Sequence, residues 1–556
     1  MGKVSVYDVF QVQALLNALS DRTTYLEGMQ GVSANSPDDS KLASFISNTE
    51  SQSRKKLDLI YRDALLVQSF GVVGDGVTDD TTAFKTAIKA AADSGLPLVI
   101  PSKFVIGIAA SITFPEGLRL YTNGAKFKAL VTLGRAPLFY VKSFSNIEGR
   151  LRVEMLGGEA CQGVTLSDVW YTYIDGIEVD SVAVAAGSKN IRDNGVRLDR
   201  TNYVTIDFIK VKNYDWSVWL GSSTKLTVDW IEAEVYAKAV HLVDLKHSRI
   251  NGGHVYGKSP NSKFAPGYNG LLSEVDTITN NLIVSGFTVE DAGEHGYRIS
   301  GPYPHDRVTL EHCTAIRSGG SGFKVLDDVG DGSIRNRSVT LTDCEAIDSG
   351  LTNRNCCGFL IQMVDGCNLT NLSVKKDQQA YSAVEGVRLS GVKHLRANGI
   401  RVRDSHKFAL HIDEQFGDIR DLKVKGIDID TSSGHGIYVQ NPGINIWNLE
   451  LEGFVENRSS DGSCLYIGRY LSATETGSWS GNNRLDITFG ESSPAGGQVS
   501  TSSSEAGLST FSANIRGRRT WQVPFRPGSL WHDVRTNTLQ ILQATTNTWE
   551  TIMPKA

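Results

Sequence analysis

The clearest pattern in this chain is a short hydrophobic phrase that recurs from about residue 190 to 490. It is a small residue followed by apolar–x–apolar, as in Gly195-Val196-Arg197-Leu198, Gly322-Phe323-Lys324-Val325 and Gly436-Ile437-Tyr438-Val439. From Gly195 to Gly436 successive copies lie 22 to 36 residues apart. A minimum near 22 with insertions of variable length suits a solenoid in which three short strands make one turn. A propeller needs ~40–50 residues per blade and fits worse. Between copies lie alternating segments such as Val308-Thr309-Leu310-Glu311-His312-Cys313, read as further strands.

Alternation within the phrase sends the two apolar residues inward and the residue between them outward. Stacking the turns at ~4.8 Å then lines the outward residues into one ladder. It reads Arg197, Trp219, His241, Leu272, Arg298, Lys324, Leu360, Arg388, His411, Tyr438 and Tyr466. Rings and fixed cations mixed in this way suit sugar faces and acidic groups. Trp219, His241, Arg298, Lys324, Arg388, His411 and Tyr438 are therefore the candidate binding residues.

The ends of the chain differ from this middle. Residues 1–68 carry helical spacing, with Leu42, Phe45, Ile46, Leu57, Ile60 and Leu65 apolar, and predict a helical neck needing a partner to pack against. Residues 69–125 read as a capping helix and the first rungs of the solenoid. There Phe70-Gly71-Val72-Val73-Gly74-Asp75-Gly76-Val77-Thr78-Asp79-Asp80-Thr81-Thr82-Ala83-Phe84 opens a helix capped by Asp79 or Asp80. Residues 126–490 hold the solenoid. Residues 491–556 begin Ser/Gly-rich and then turn to strands without an evident core, which again suggests packing between subunits.

Composition narrows the chemistry. Fifty-six Lys and Arg against 61 Asp and Glu leave a net charge of −5, so no global basic field holds nucleic acid. No run of ~18 apolar residues is present to span a membrane, and Met1-Gly2-Lys3-Val4-Ser5 starts no signal-peptide core. Seven Cys with no CxxC pair read as free thiols, and Cys356-Cys357 lacks the second ligand pair a metal needs. No cofactor and no resident metal are expected; Asp327, Asp328 and Asp331 are the one grouping that a calcium ion could use.

Glycoside cleavage needs two carboxyl groups, ~5 Å apart for retention and ~6.5–9.5 Å for inversion. Three acidic clusters border ladder strands: Glu290, Asp291 and Glu294; Asp327 and Asp328; and Asp413 and Glu414. These seven are the candidate catalytic residues. Aligning the turns places Glu290 over Ile316 and Ile347, so a carboxylate there interrupts an apolar column, although Lys212, Arg403 and Asp430 fall at the same place in other turns. Asp291 falls over Arg317, Asp348 and Asp404 and reads as a turn former. Solvated loop charge is the plain alternative for all seven.

The segment from Phe70, continued by Pro97-Leu98-Val99-Ile100-Pro101 and Phe104-Val105-Ile106-Gly107, resembles the opening of pectate-lyase-like right-handed β-helices. With the helical start and β end, the whole order resembles bacteriophage tailspike proteins that depolymerise capsule or O-antigen. That resemblance implies an all-β fold, a right-handed parallel β-helix assembled as a homotrimer. It implies a virion protein made in the host cytoplasm and acting at the bacterial surface, joined to the phage tail or an adaptor protein through its N-terminus. The implied activity is endo-glycosidic hydrolysis of a bacterial surface polysaccharide. The alternatives are a lyase acting by β-elimination on an acidic capsule, with a ladder residue such as His241, Lys324, His411 or Tyr438 as base, and a non-enzymatic adhesin. The family's catalytic acids carry no transferable motif.

The native species should run near three times 60.5 kDa by light scattering and resist SDS without heating; a monomer removes the argument for both terminal regions.

Overall fold

The computed structural model describes residues 64–553, apart from connecting segments of which the longest are 182–193, 258–266, 327–335, 469–478, 491–498, 502–510 and 518–528. The expected helical neck, up to residue 63, lies outside the described residues, as do Asp327, Asp328, Asp331 and Glu414.

Strands wind into a parallel β-helix. Among the described residues, fifteen short strands stack in one parallel sheet, here the front sheet, and a second sheet of twenty-eight strands wraps the back. Each winding runs along the back sheet, turns, crosses the front and returns. Residues 202–212, 216–221, 224–236 and 238–243 show two successive turns of this path. Winding-to-winding pairing is parallel throughout the solenoid, and only the last strands, from Leu530 to Met553, fold as an antiparallel meander.

The ladder is in register at every step. Arg197 pairs with Trp219, Trp219 with His241, and so on through Leu272, Arg298, Lys324, Leu360, Arg388, His411 and Tyr438 to Tyr466. Trp219, Arg298 and His411 therefore share one wall. One residue earlier, the inward column passes through Val240, Leu271, Tyr297, Phe323, Phe359 and Val387. Its three rings stack nearly parallel, with centroids 4.5 and 4.6 Å apart, close to the strand spacing itself. All three are buried.

The small residue that opens each phrase has a steric cause. A Cβ on Gly195 would sit 2.4 Å from a methyl of Val211, and one on Gly296 would sit 2.7 Å from the Gly322 carbonyl and from Ala315. Here the front strand presses onto the back sheet. Asp291, Arg317, Asp348 and Asp404 all take the left-handed conformation, with φ between 51° and 56°. Asp291 is thus a turn residue, and the turn accepts Arg as well.

Helix α1 (Thr81–Ser94) seals the first windings. It buries Phe84, Ala87, Ile88 and Ala91, with Phe84 against Phe114 and Phe127. The two aspartates divide the capping work. Asp79 accepts the Thr81 amide at 3.0 Å, while Asp80, at the cap position itself, accepts the amides of Val73 and Gly74 at 2.7 and 3.0 Å and ties down the preceding loop.

Front strands Ile112–Thr113, Pro137–Val141 and Gln162–Ser167 precede the first copy of the phrase at Gly195. One difference from the sequence reading concerns extent, since the solenoid continues past residue 490: Val499–Thr501 extends the front sheet and Phe511–Gly517 the back. In the meander, Trp531 is fully buried against Trp549, which gives this region a small core of its own.

Replacing Phe323 by Ala should cost about 3–5 kcal/mol, read as a lower urea midpoint, with Phe323→Leu costing less; an unchanged midpoint would show that the ring stack is not what holds the windings together.

Candidate active site on the front sheet

Each front strand offers three outward positions: one at its start, the ladder residue, and one two residues further on. Lys238, His241 and Val243 occupy them in one winding, and Glu274 lies beside Val243 in the next. His241 Nε2 is 2.6 Å from Glu274 Oε2, and Nδ1 has no partner among the described residues. Burial lowers the His241 pKa and favours the neutral ring. The tautomer that fits carries its proton on Nε2 and donates it to the carboxylate. That hydrogen bond, with Lys238 and Arg298 nearby, lowers the Glu274 pKa and keeps it ionised. Its side chain is 37% exposed, whereas that of His241 is 6% exposed. An open carboxylate is thus oriented by a closed imidazole.

Further along the face, Glu294 accepts the Gly267 amide at 2.6 Å, lies 3.3 Å from His295 Nε2 and 4.0 Å from Arg298. Burial pushes its pKa up, but His295, the amide and Arg298 outweigh that and hold it at about 2. Lys324 Nζ is 3.2 Å from His295 Nε2, and His295 Nδ1 accepts the Ser321 amide. Burial also lowers the pKa of Lys238, whose ammonium lies over the Trp216 ring. Two carboxylates, two imidazoles and three cations therefore share four successive windings.

A second network lies at the far end. Asp413 is buried and takes Arg388 Nε at 2.6 Å and Ser390 Oγ at 2.5 Å. His411 Nδ1 is 2.9 Å from Glu385 and its Nε2 3.1 Å from Gln440. Burial pushes the Asp413 pKa up, but the opposing pull of Arg388 and His411 leaves it below the ordinary value. This is a closed, internally satisfied cluster.

The predicted residues therefore separate. Trp219, His241, Arg298, Lys324, Arg388, His411 and Tyr438 all lie on the front face. The ladder is less open than alternation alone suggests, since His241, His411 and Tyr438 are buried outward residues. Tyr438 is packed 4.4 Å from the Phe408 ring, with His411 and Tyr466 also against it. Rings stacked on each other leave few faces for a sugar. Glu294 and Asp413 join the front-face networks. Glu290 and Asp291 do not: Glu290 ends a back-sheet strand, paired with Arg317 and, at 3.1 Å, with His254, while Asp291 pairs with Arg317 at 2.7 Å. The column at Glu290 runs through Lys212, Glu234, Tyr256, Ile316, Ile347 and Lys375 and lies at the surface, so a carboxylate there is unexceptional. Glu274, Lys238 and Glu385 were missed. Glu274 had a signal: it stands two residues past a ladder position, as Asp413 does.

No family model matches this sequence, and no curated protein does. Similar solved structures include the Dettilon tailspike protein, with 13% identity over 75% of this chain and 68% of that one and a TM-score of 0.43. The N-terminal fragment of bacteriophage Phi29 gene product 12 has 14% identity, coverage of 91% and 76%, and a TM-score of 0.42. The catalytic unit of an alpha-1,3-glucanase from Streptomyces thermodiastaticus has 14% identity, coverage of 79% and 68%, and a TM-score of 0.38. Similarity at this level leaves the fold to be read from the strand pairing and the chemistry from the site.

Glu294 gives a pH signature. Its folded pKa is depressed, so its contribution to stability is complete above the ordinary glutamate value near 4.5 and is lost as pH falls towards about 2. Chemical denaturation across that window should show a smaller loss on acidification for Glu294→Gln than for the wild type; identical slopes would place the ion cluster elsewhere in solution.

Proposed function

We propose that this protein binds a bacterial surface polysaccharide along the front sheet and cleaves it by endo-glycosidic hydrolysis, with Glu274 as the ionised carboxylate of the pair. The observation that carries this reading is the half-open Glu274, oriented by buried His241 at 2.6 Å and flanked by Lys238 and Arg298. An ionised, hydrogen-bonded carboxylate suits a general base or nucleophile and not a proton donor. Glu294, held at about 2, cannot be that donor near neutral pH either.

The donor is proposed to be Asp327 or Asp328, which lie outside the described residues and follow in sequence the front strand Phe323–Val325, two windings on from Glu274. Such a pair needs ~6.5–9.5 Å between its carboxyl groups for inversion. Arg298, Lys324 and Trp219 line the same face and would hold the chain in place.

This reading keeps the protein as a phage tailspike: a homotrimer on the virion, attached to the tail or an adaptor through its N-terminal residues and working at the cell surface. The elongated wall, rather than a closed pocket, suits a polymer substrate.

Incubating the intact protein with purified capsule should release new reducing ends without the ultraviolet absorbance of an unsaturated sugar. Glu274→Gln should lower kcat by about 10²–10⁴, and Asp327→Asn or Asp328→Asn should do the same, while Glu290→Ala keeps activity. Unsaturated products would transfer the site to β-elimination; binding without shortening would make the protein an adhesin; full activity in Glu274→Gln would remove the assignment.

A further inference from the structure

We infer a second, anion-selective sugar-binding groove on the back sheet, centred on Arg249 and separate from the front face. A cavity of about 510 Å³ opens there, lined by His247, Arg249, Asn281, Arg307, Ser338 and Thr340 among others. Three of these side chains are basic or can become so, and none of the lining residues is a carboxylate. The others offer hydroxyl and amide groups.

Charge placement marks this groove. In other parts of the back sheet outward cations are matched by carboxylates: Lys210 contacts Glu232 and Glu234, and Lys425 contacts Glu450 and Glu452. Arg249 is exposed and has neither a hydrogen bond nor an ion pair among the described residues. The outward column that contains it runs from Thr205 through Arg249 and Thr340 to Arg396 without a carboxylate. In a chain of net charge −5, this is a local reversal.

The neighbours are arranged to leave donors free. Asn281 Nδ2 lies 3.0 Å from His247 Nδ1, which places the His247 proton on Nε2 when the ring is neutral. Arg307 gives Nη2 to Asn280 Oδ1 at 2.9 Å and lies 3.5 Å from Asp306 with Nε. Its charge is thus partly matched, and Arg249 is the principal anchor. A planar guanidinium takes a carboxylate in two hydrogen bonds, and the surrounding Ser, Thr and Asn side chains match sugar hydroxyls. The ligand this fits is a carboxylate-bearing oligosaccharide.

The test is isothermal titration of the intact protein with hexagalacturonate, with maltohexaose as the neutral control. The acidic hexamer should bind and the neutral one should not, and the affinity should fall as salt is added. The double variant Arg249→Gln/Arg307→Gln should bind the acidic hexamer at least tenfold more weakly. Lys425→Gln, on the same sheet and away from this groove, should bind it as the wild type does. Equal binding of both hexamers, no binding of either, or full affinity in the double arginine variant would each overturn the inference. Full affinity in the arginine variant would assign the acidic sugar to the front face, and the cleavage reading would survive that result.

Discussion

Parallel hydrogen bonding between one winding and the next governs everything else in this molecule. It fixes the vertical separation at ~4.8 Å and gives each side chain the same two neighbours, one above and one below. A residue in a solenoid is therefore chosen for its column as well as for its own winding. Inside, the column can be filled by rings only because their stacking distance matches the pairing distance, as with Tyr297, Phe323 and Phe359. At the corner the column accepts only a small residue, because the sheets meet there. The recurring phrase is the trace of these two demands.

The same geometry decides the electrostatics. Like charges stacked at this separation repel, and the back-sheet column through Arg152, Glu178, Lys210 and Glu232 alternates sign. Such exposed pairs contribute little to stability individually; their effect is to remove unpaired charge. Where alternation fails, something else must neutralise the surplus. Around Arg249 it is solvent, and around Lys238 and Arg298 it is a pair of carboxylates drawn in from neighbouring windings.

Much of the fold was legible because columns leave a period in the sequence. The strands after Gly195 could be placed, and their register read, from a four-residue phrase. Windings before it were harder. Gly163-Val164-Thr165-Leu166 does keep the phrase, but its counterpart one winding earlier, Leu138-Phe139-Tyr140-Val141, opens with Leu instead of a small residue, and the insertions around both blur the spacing. Site chemistry was only partly legible. Sequence gives the direction a side chain points but not what closes over it, so His411 and Tyr438 looked open when their neighbours in the stack cover them. Glu290 looked singular because two of its column mates are Ile, while the longer column is charged. Glu274 was passed over because its winding, Leu271-Leu272-Ser273, carries an apolar residue at the ladder position.

Glu274 and Asp413 show how one template gives two outcomes. Both stand two residues past a ladder position, at the same edge of the front sheet, each beside a histidine. Asp413 meets Arg388 and Ser390 directly and its side chain is 2% exposed; Glu274 meets only the imidazole and is 37% exposed. Taking a charge out of water demands full compensation, and a compensated charge has no valence left for a substrate. The closed carboxylate is thus bound to a structural role, since losing Arg388 would strand its charge in the interior. The open one keeps a lone pair towards solvent and lets a buried ring fix its direction. The difference between a closed brace and an open carboxylate here is the presence of one arginine on the winding before it.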